Sequence, residues 1–436
     1  MGSTRSRQIT FAATLFAATL FGVFVPLAAR GQFDQYTQTG GPDPVLVDPK
    51  EQLEAAVEEA RWRFGGLRVD PWIGIRNVGY VDSGQGERQL SGSAGIGLRT
   101  YLPTGPKVIW AAHLLPEYAW FEDSSERSRV NGRYGVGFFG FFNRLTVEAL
   151  ATRQEVLDIV STEVQQRVNA RSDVIELLGE VRLAGSINLY ARGTTSSIEN
   201  LLEEEERLDP GIAPFNLLDR EEETLRLGLR YRTRGDWLIG LGVEDSTVEF
   251  DDPIFDRSNS GTSPFFELSI RGRSLAIDAD VVFRDLEADG PSGFVAFNGV
   301  SGRFSLILGG ERSRLSPALY ARRELVYTLG GSSYLIDERF GVRAGLPIGR
   351  RLGLGAFVET GTNEYEGEVG PQRSDDVLAY GADLSIQLGA RFGIAIGYSK
   401  EEFESNLPGL DRTVDVVRAG ITFGGAGIGR SAGTWY

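Results

Sequence analysis

The chain has 436 residues, no cysteine and a formal net charge of −15 at pH 7. The absence of cysteine excludes disulfides, thiolate metal sites, cysteine nucleophiles and a lipoprotein anchor. The acidic balance argues against a nucleic-acid partner, which would require a basic face. A chain of this length often holds two or three domains, but large β-barrels are an exception to counting domains by length.

The first predicted element is a secretory signal peptide over residues 1–31. Two arginines precede a long uncharged run, and Ala29 and Gly31 are small residues of the kind that signal peptidase recognises. We therefore expect Gln32 to be the first mature residue. An uncleaved membrane anchor is the alternative, because the run is long enough to span a bilayer. Pro26 and the small residues favour cleavage.

Residues 32–65 are predicted to form a periplasmic linker and a short helix. The segment up to residue 46 is rich in Gly, Pro, Gln and Thr, which is typical of a linker. Asp48 can cap a helix, Pro49 suits the first helical position, and Glu51 stands where a capping-box acid belongs. The apolar residues that follow, spaced three or four apart, are Leu53, Val57, Ala60 and Phe64. This spacing predicts a helix over 48–64 with one apolar face.

Residues 66–424 change to a hydrophobic period of two. One such segment has Leu225, Leu227, Leu229 and Tyr231 on one face and Arg226, Arg230 and Arg232 on the other. Segments of the same kind recur along the rest of this region. The alternation predicts strands with one apolar face. By itself it also fits a soluble β-sandwich.

The connections between these strands distinguish the two folds. Short turns fall at 103–106, 143–144, 184–186, 233–236, 271–274, 309–313, 347–350 and 389–391. Longer polar loops fall at 82–89, 122–130, 154–171, 198–222, 250–262, 285–297, 328–333, 362–375 and 402–412. The two kinds alternate strictly, as the periplasmic turns and extracellular loops of outer-membrane barrels do.

The fold predicted from these connections is all-β: a transmembrane antiparallel up-and-down β-barrel in a Gram-negative outer membrane. Eight short turns and nine longer loops imply eighteen strands. Sixteen strands is the alternative, because the boundaries within 154–198 are indistinct. Both ends of the barrel then lie in the periplasm. We expect the helix over 48–64 to cap the periplasmic base; plugging the lumen or mediating assembly are the alternatives.

Aromatic residues recur where the two membrane interfaces would lie. They are Trp110, Tyr118, Trp120, Phe138, Trp237 and Tyr398. Aromatic girdles of this kind anchor barrels at both lipid surfaces. Residues 425–436 form a Gly-rich tail, so either Phe423 or Tyr436 can serve as the C-terminal aromatic of the insertion signal.

Two segments carry a resemblance to a known family. The opening LRVDPWIGIRNVGYVD over 67–82 resembles the first strand of the outer-membrane β-barrel porin family, and GYSKEEFESNLPGLDRT over 397–413 is similar to its close. The sequence departs from the family's pattern after Tyr80, where Val81, Asp82 and Ser83 stand instead of Asp-Asn. Members often lie in exopolysaccharide loci, including the exosortase-associated kind. The resemblance implies an outer-membrane channel, for some members a conduit for a surface polymer, and no defined catalytic residues.

The only histidine, His113, falls on a strand whose lipid face would be Val108, Trp110, Ala112 and Leu114. Parity therefore places His113 in the lumen. Nothing near it supplies the base and orienting partner of a hydrolase, and without cysteine or a second histidine no transition-metal cluster is expected. We interpret His113 as a lumenal polar residue with satisfied hydrogen bonds.

Other chemical signals are weak. The carboxylate pairs Asp278 with Asp280 and Glu176 with Glu180 are ordinary barrel lining, and their spacing alone defines no glycosidase geometry. The Gly-rich stretch at 424–429 lacks a P-loop lysine. The sequence therefore predicts no enzyme, no catalytic residues, no metal and no cofactor.

The predicted functional site is the pore lining. Parity turns the following side chains inward: Glu176, Glu180, Arg182, Arg226, Arg230, Arg232, Glu267, Arg271, Asp278, Asp280, Arg284, Arg303, Glu359 and Asp383. Mixed signs on one wall permit either a transverse field across a pore or a salt-bridge ladder that fills it. The acidic loop over 198–222 is interpreted as solvated; an inward constriction and a cation-binding surface are the alternatives.

The function predicted from the sequence is a porin-like channel, with export of a surface polysaccharide as a sharper version. A structural or adhesive barrel and an outer-membrane hydrolase are the alternatives. The expected partners are outer-membrane lipid, lipopolysaccharide and the barrel-assembly machinery, and for polymer export the polysaccharide-export components.

Overall fold

The computed structural model describes residues 49–424, apart from 83–88, 123–127, 160–162, 164–166, 202–212, 234–236, 254, 273, 291, 310–314, 330, 350, 368–371 and 390. The predicted signal peptide, the linker through Asp48 and the Gly-rich tail lie outside the described residues.

The described part of the chain is built almost entirely from strands, preceded by one α-helix. The helix is α1 (Pro49–Glu59), and a 3-10 helix follows at Ala213–Leu218. The strands are β1 (Trp62–Phe64), β2 (Leu67–Asp82), β3 (Gln89–Pro103), β4 (Val108–Phe121), β5 (Arg129–Phe141), β6 (Leu145–Ile159), β7 (Arg167–Ala184), β8 (Ile187–Asn200), β9 (Arg220–Arg232), β10 (Trp237–Phe250), β11 (Asn259–Arg271), β12 (Leu275–Ala288), β13 (Phe297–Leu308), β14 (Ser316–Tyr327), β15 (Tyr334–Ile348), β16 (Leu352–Glu366), β17 (Ser374–Leu388), β18 (Phe392–Ser405) and β19 (Arg412–Gly424).

Strands β2–β19 form a closed antiparallel barrel of eighteen strands. Each strand pairs with the next along the chain, and β19 pairs back with β2. The short β1 pairs only with the start of β2. The predicted barrel of eighteen strands is confirmed, and the alternative of sixteen is wrong. Strands β6 and β7 are both full-length and pair over fifteen positions, so their connection spans 160–166 and is shorter than expected.

The predicted alternation of short turns and long loops holds around the barrel except at β13–β14, whose connection over 309–315 is longer than the β14–β15 connection over 328–333. Tight turns at one end need backbone conformations that glycine adopts readily. Gly185 (φ 53°) and Gly389 (φ 78°) supply them in two of the short turns. Helix α1 lies at the same end as these turns, because it precedes the start of β2 and packs on Tyr101 and Ile109, on either side of the turn between β3 and β4. Short turns mark the periplasmic end of barrels of this kind.

The outer face of the barrel is apolar. On β9, Leu225, Leu227 and Leu229 are 48, 50 and 45% exposed. Large apolar side chains recur in this way on the outer face of the other strands. Trp110 and Phe138 add an edge-to-face pair at 4.8 Å between ring centroids. A continuous apolar surface of this extent requires a lipid environment.

Helix α1 is shorter than predicted and lies within the periplasmic end of the barrel. It ends at Glu59, and a turn at Gly65 (φ 61°) folds β1 onto β2, so the expected helical role of Phe64 is wrong: Phe64 belongs to β1 and is exposed. Leu53 and Ala60 are buried against the inner wall. The wall residues that receive them come from β3–β6: Tyr101, Ile109, Ala111, Phe139 and Leu150. Within the described residues, no helix has the length and apolar character needed to cross a membrane.

Placing a charge on the outer face of β10 tests whether that face contacts lipid. Leu241 lies on the outer face of β10, four residues from Trp237. Leu241→Arg is expected to lower the free energy of unfolding in lipid vesicles by about 2–4 kcal/mol, as charges near the bilayer midplane do. Thr247→Arg is the matched control, because Thr247 is on the same face between Asp245 and Glu249; its cost is expected to stay under about 1 kcal/mol. If a denaturant titration showed that both variants lose the same free energy of unfolding, the placement of Leu241 near the bilayer midplane and of Thr247 outside the hydrocarbon would be contradicted.

Candidate functional site in the lumen

The inner face of the barrel carries the charged residues, because alternation turns them away from the apolar outer face. Of the fourteen predicted pore-lining residues, twelve form ion pairs on this wall. The twelve are Glu176, Glu180, Arg226, Arg230, Arg232, Glu267, Arg271, Asp278, Asp280, Arg284, Arg303 and Glu359.

The first centre of this network is Arg226 on β9. Its guanidinium lies 2.5 Å from Glu244, 3.0 Å from Asp280 and 3.6 Å from Glu267. Arg284 approaches Glu244 from the other side at 2.9 Å. One arginine therefore joins carboxylates of β10, β11 and β12, which fixes the relative positions of their side chains.

Arg230 extends the network toward the periplasmic end. It pairs with Glu180 at 3.1 Å and with Glu267 at 3.0 Å, and Glu180 also pairs with Arg232 at 3.0 Å. The Tyr190 hydroxyl donates to Glu267 at 3.0 Å, and the Arg230 guanidinium stacks 3.6 Å from the centre of the Tyr190 ring. Tyr190 therefore contacts both members of the Arg230–Glu267 ion pair and helps to hold them in place.

A second centre lies on β14–β16 and is almost fully buried. Arg322 and Arg339 both pair with Asp337, at 2.9 and 2.5 Å. Both also approach Glu359, at 3.7 and 3.4 Å. None of these four residues is more than 6% exposed. Two arginines and two carboxylates here bring equal numbers of opposite charges together.

Several members of the network were missed from the sequence: Arg192, Glu244, Arg322, Glu324, Asp337 and Arg339. Glu244 could have been found, because Leu241 and Val243 define its strand parity. Parity was ambiguous for Arg322, since the charged Arg323 follows it directly. The same holds for Asp337 and Arg339, which flank the outward Glu338.

Two predicted residues stand apart from these ion pairs. Arg182 lies beside the periplasmic turn at the end of β7 and is exposed. Asp383 is inward on β17, where its carboxylate covers Gly355 of the neighbouring strand. The structure therefore does not bring either residue into the network.

The charges of the network balance. Its carboxylates are Glu176, Glu180, Glu244, Glu267, Asp278, Asp280, Glu324, Asp337 and Glu359, and its guanidiniums are Arg192, Arg226, Arg230, Arg232, Arg271, Arg284, Arg303, Arg322 and Arg339. Among the described residues, nine acids meet nine arginines in these ion pairs along β7–β16. Of the two interpretations left open by the sequence, these contacts favour a salt-bridge ladder, and the ladder lies along the wall of β7–β16 rather than across the whole lumen.

His113 points into the lumen from β4 and is 7% exposed. Its Nδ1 atom has no hydrogen-bond partner within the described residues, so the expected satisfaction of this histidine is not found there. No group of three or more His, Asp or Glu side chains in the described ranges is arranged to hold a metal ion.

The extracellular mouth is crossed by residues of its own loops. Phe250 at the end of β10 packs edge-to-face on Tyr327 at the end of β14, with 4.9 Å between ring centroids. Both belong to an apolar cluster that also includes Leu218 of the 3-10 helix. The Leu329 amide of the β14–β15 loop donates to Glu163 of the β6–β7 loop. Strands β6–β7 and β14–β15 lie on nearly opposite sides of the barrel, so the Glu163–Leu329 contact passes over the lumen.

The acidic loop over 198–222 is described only in part, because its glutamates 203–206 lie outside the described residues. Its second half turns inward, with Leu218 buried. Arg257 of the next loop donates to the Leu217 carbonyl at 2.9 Å and to the Thr328 carbonyl. This part of the loop contributes to the mouth, so the solvated interpretation does not hold for it.

No family model and no curated protein matches this chain. Among solved structures it is similar to OccK2 (OpdF) of Pseudomonas aeruginosa, with a TM-score of 0.50, 11% identity, and coverage of 82% of this chain and 98% of that one. OccAB3 of Acinetobacter baumannii gives a TM-score of 0.47 at 11% identity over 82% of this chain and 99% of that one. The outer membrane protein opdK of P. aeruginosa gives 0.48 at 10% identity over 82% and 99%. At these identities the likeness shows the fold alone.

The closed barrel and its apolar outer face place the chain in an outer membrane. This agrees with the fold and location that the resemblance implied.

Removing one carboxylate tests whether the ion-pair network contributes to the stability of the inner wall. Glu244 is 1% exposed and pairs with Arg226 and Arg284. Glu244→Gln removes the carboxylate that pairs with Arg284 and one of the three around Arg226. One positive charge of the buried network is then uncompensated, so the free energy of unfolding is expected to fall by about 3–5 kcal/mol. Glu338→Gln is the control, because its pair with Arg323 is on the outer surface; about 0–1 kcal/mol is expected there. Denaturant unfolding in detergent micelles measures both, and a near-neutral Glu244→Gln would contradict this role.

The extracellular mouth contains a titratable group outside the membrane. Burial raises the pKa of Asp219 to about 6, although its carboxylate accepts hydrogen bonds from the Asn200 backbone and side chain, at 2.7 and 2.8 Å. Because the folded pKa is above the unfolded value near 4, this group favours the folded mouth at low pH. That contribution is lost as the pH rises through about 6.

Asp219→Asn keeps the acceptor and removes the titration. We expect amide exchange at Asn200 to become slower in the variant than in the wild type at pH 7.5, and the two proteins to converge near pH 4. Hydrogen-exchange mass spectrometry, corrected for intrinsic exchange rates, measures this; an unchanged pH dependence in the variant would contradict it.

Proposed function

We propose that this protein is an outer-membrane channel that passes small hydrophilic solutes and restricts larger ones. The observation that carries the proposal is a closed eighteen-stranded wall with a polar inner face and an apolar outer face. Barrels of about sixteen to eighteen strands leave an aqueous path unless something fills it. A water-filled lumen also explains why charged side chains are retained on the inner face.

The chain narrows this path at both ends. Helix α1 is held inside the periplasmic end through Leu53 and Ala60. At the extracellular end, Phe250, Tyr327 and the Glu163–Leu329 contact reach across the mouth. These contacts support a channel that selects by size rather than an open pore of the barrel's full width.

The network of ion pairs supports selection by shape as well. Its charges cancel in pairs, so much of the wall presents fixed dipoles rather than a net field. Side chains held by two or three partners lose little further entropy when a solute passes. Selectivity for charge then depends on the lumenal groups outside the network.

Passage of a surface polymer, with polysaccharide-export components as partners, is the finer function that the resemblance suggests. A polymer would require the Phe250–Tyr327 and Glu163–Leu329 contacts to separate. For this reason the small-solute channel is the better-supported proposal. Contacts with lipopolysaccharide and with the barrel-assembly machinery remain predictions.

Planar-bilayer conductance of the purified protein tests the channel and its periplasmic restriction together. Leu53→Asp places a charge among apolar partners, which is unfavourable, so α1 is expected to leave the wall and single-channel conductance to rise above wild type. Glu54→Ala is the matched control on the exposed face of the same helix, and its conductance is expected to equal wild type.

Absence of channel current from correctly folded wild type would sink the proposed function. Flux of a long linear polysaccharide through wild type in liposomes would replace it with the polymer conduit.

A further inference from the structure

Strands β13 and β14 pair over only part of their length. Their ladder ends at Gly302 opposite Arg323 after six positions. Each strand pairs with its other neighbour over twelve positions. Beyond the last pair, 297–301 of β13 and 324–327 of β14 keep strand conformation but do not pair with each other. The wall is therefore split between these two strands at its extracellular end.

The split begins where the outer face becomes charged. Arg323 points outward and forms an ion pair with the outward Glu338 of β15. Charged side chains are unfavourable in the hydrocarbon, so this pair marks the extracellular membrane surface. Water reaches the strand edges beyond it, whereas an unpaired edge in the hydrocarbon would lack hydrogen bonds. The split is thus compatible with a barrel that stays closed across the membrane.

The extracellular part of the β14–β15 hairpin lies inside the neighbouring wall. On β15, Phe340 of the outer face is 61% exposed, but Tyr334 and Ile336 of the same face are 3 and 6% exposed. Tyr327, on the outer face of β14, is buried as well. The apolar cluster that covers these side chains includes inward residues of β10, β12 and β13: Phe250, Leu286 and Phe297. The outer face of the hairpin therefore packs on the inner face of β10–β13.

Two further contacts hold the hairpin there. The Asn259 side chain of β11 donates a hydrogen bond to the Tyr327 hydroxyl at 2.9 Å. Phe297 of β13 packs edge-to-face on Tyr334, with 5.7 Å between ring centroids. Both ends of the hairpin are consequently fixed to the inner side of the wall, and its tip crosses the extracellular mouth.

The sequence of the same segments also fits a longer ladder. Continuing the register of β13–β14 would pair 298–301 with 324–327. Val300 and Leu325 would then stand opposite each other, both apolar and both on the outer face. Tyr327 would join the aromatic residues at the extracellular interface. One sequence is thus compatible with two conformations of the hairpin.

We propose that the β14–β15 hairpin is a lid with an inward and an outward conformation. In the inward conformation, which the structure shows, the hairpin closes the mouth and leaves the wall split. In the outward conformation the β13–β14 ladder is complete, the contacts across the mouth are separated and larger solutes pass. The two conformations exclude each other, because one face of the hairpin cannot both pack on the inner wall and face outward. The inference rests on the proposed function, since the lid regulates that channel.

Cysteine cross-linking in this cysteine-free chain tests the lid. Val300→Cys and Leu325→Cys are introduced together, and the folded, reduced protein is oxidised in planar bilayers. Residues opposite each other in a ladder are close enough for a disulfide. We expect the disulfide to trap the outward conformation and to raise single-channel conductance about twofold or more, because an unobstructed barrel of this size has a wide aqueous path. Reduction is expected to reverse the change.

Phe304→Cys with Ala321→Cys is the matched control pair. These outward residues already stand opposite each other in the existing β13–β14 ladder. Their disulfide is expected to form without a change in conductance. Heat-modifiable migration on gels before oxidation reports the folding of each variant, and mass spectrometry of the linked peptides measures each disulfide.

A third substitution changes the balance between the conformations. Phe250→Ala, added to Val300→Cys and Leu325→Cys, removes an aromatic side chain that packs only on the inward hairpin. The rate of disulfide formation is expected to rise about tenfold or more, because truncating a buried aromatic residue destabilises the conformation that buries it. Glu249→Ala is the control on the exposed face of the same strand, and its rate is expected to be unchanged.

The lid would be overturned if the folded protein formed the control disulfide but not the one between positions 300 and 325. A complete disulfide at 300 and 325 that left the conductance of a conducting protein unchanged would also overturn it. So would an equal acceleration by Phe250→Ala and Glu249→Ala. Disulfide formation is measured without current, so a protein that cross-links as expected but carries no current would sink the channel proposal and leave the two conformations intact.

Discussion

The structure depends on one constraint: in a bilayer core, every backbone N–H and C=O group must find its partner within the protein. An open sheet would leave the edges of β2 and β19 unpaired in lipid. The β19–β2 pairing, in which Val416 stands opposite Val81, removes both edges. Closure divides the protein surface into an outside that contacts lipid and an inside that does not. Every second residue of each strand is thereby committed to one of these two environments.

That division explains where the charges are and how they are satisfied. Arginines and carboxylates cannot face the hydrocarbon, so most of those on the strands meet inside the barrel; the outward Arg323–Glu338 pair lies toward the extracellular ends of β14 and β15. Buried ion pairs often contribute little net stability compared with well-packed apolar groups, but breaking one is costly. The network on β7–β16 therefore specifies the shape of the inner wall more than it stabilises the fold.

The sequence predicted the properties that depend on local pattern. A period of two and the alternation of connection lengths are both visible along the chain, and they led to the strand number, the orientation and most inward residues. The partners of those residues could not be predicted, because they depend on register between distant segments. Arg226 meets Asp280, 54 positions away, only because β9–β12 pair as they do. The sequence could not show which of the adjacent arginines Arg322 and Arg323 faces inward, because both are charged and the alternation of apolar and polar residues is lost there.

The structure at the two ends of the barrel could also not be predicted from local sequence patterns. The spacing to Phe64 continued the helical period, yet Gly65 allowed a turn that pairs Trp62–Phe64 with β2 instead. The contacts across the extracellular mouth join loops that are more than 160 residues apart, as Glu163 and Leu329 are. Such contacts follow from the closed geometry and have no signature within either loop.

Cysteine accessibility tests most directly whether the inside of this wall is an aqueous path. The natural chain has no cysteine, so it provides an unreactive background. Asp280 is inward on β12 and partly exposed, and its neighbour Val281 faces lipid. In planar bilayers, a charged thiol-specific reagent is expected to change the single-channel conductance of Asp280→Cys in discrete steps and to leave Val281→Cys unchanged. A change of equal size in both variants, or no change in Asp280→Cys after complete modification, would contradict the account.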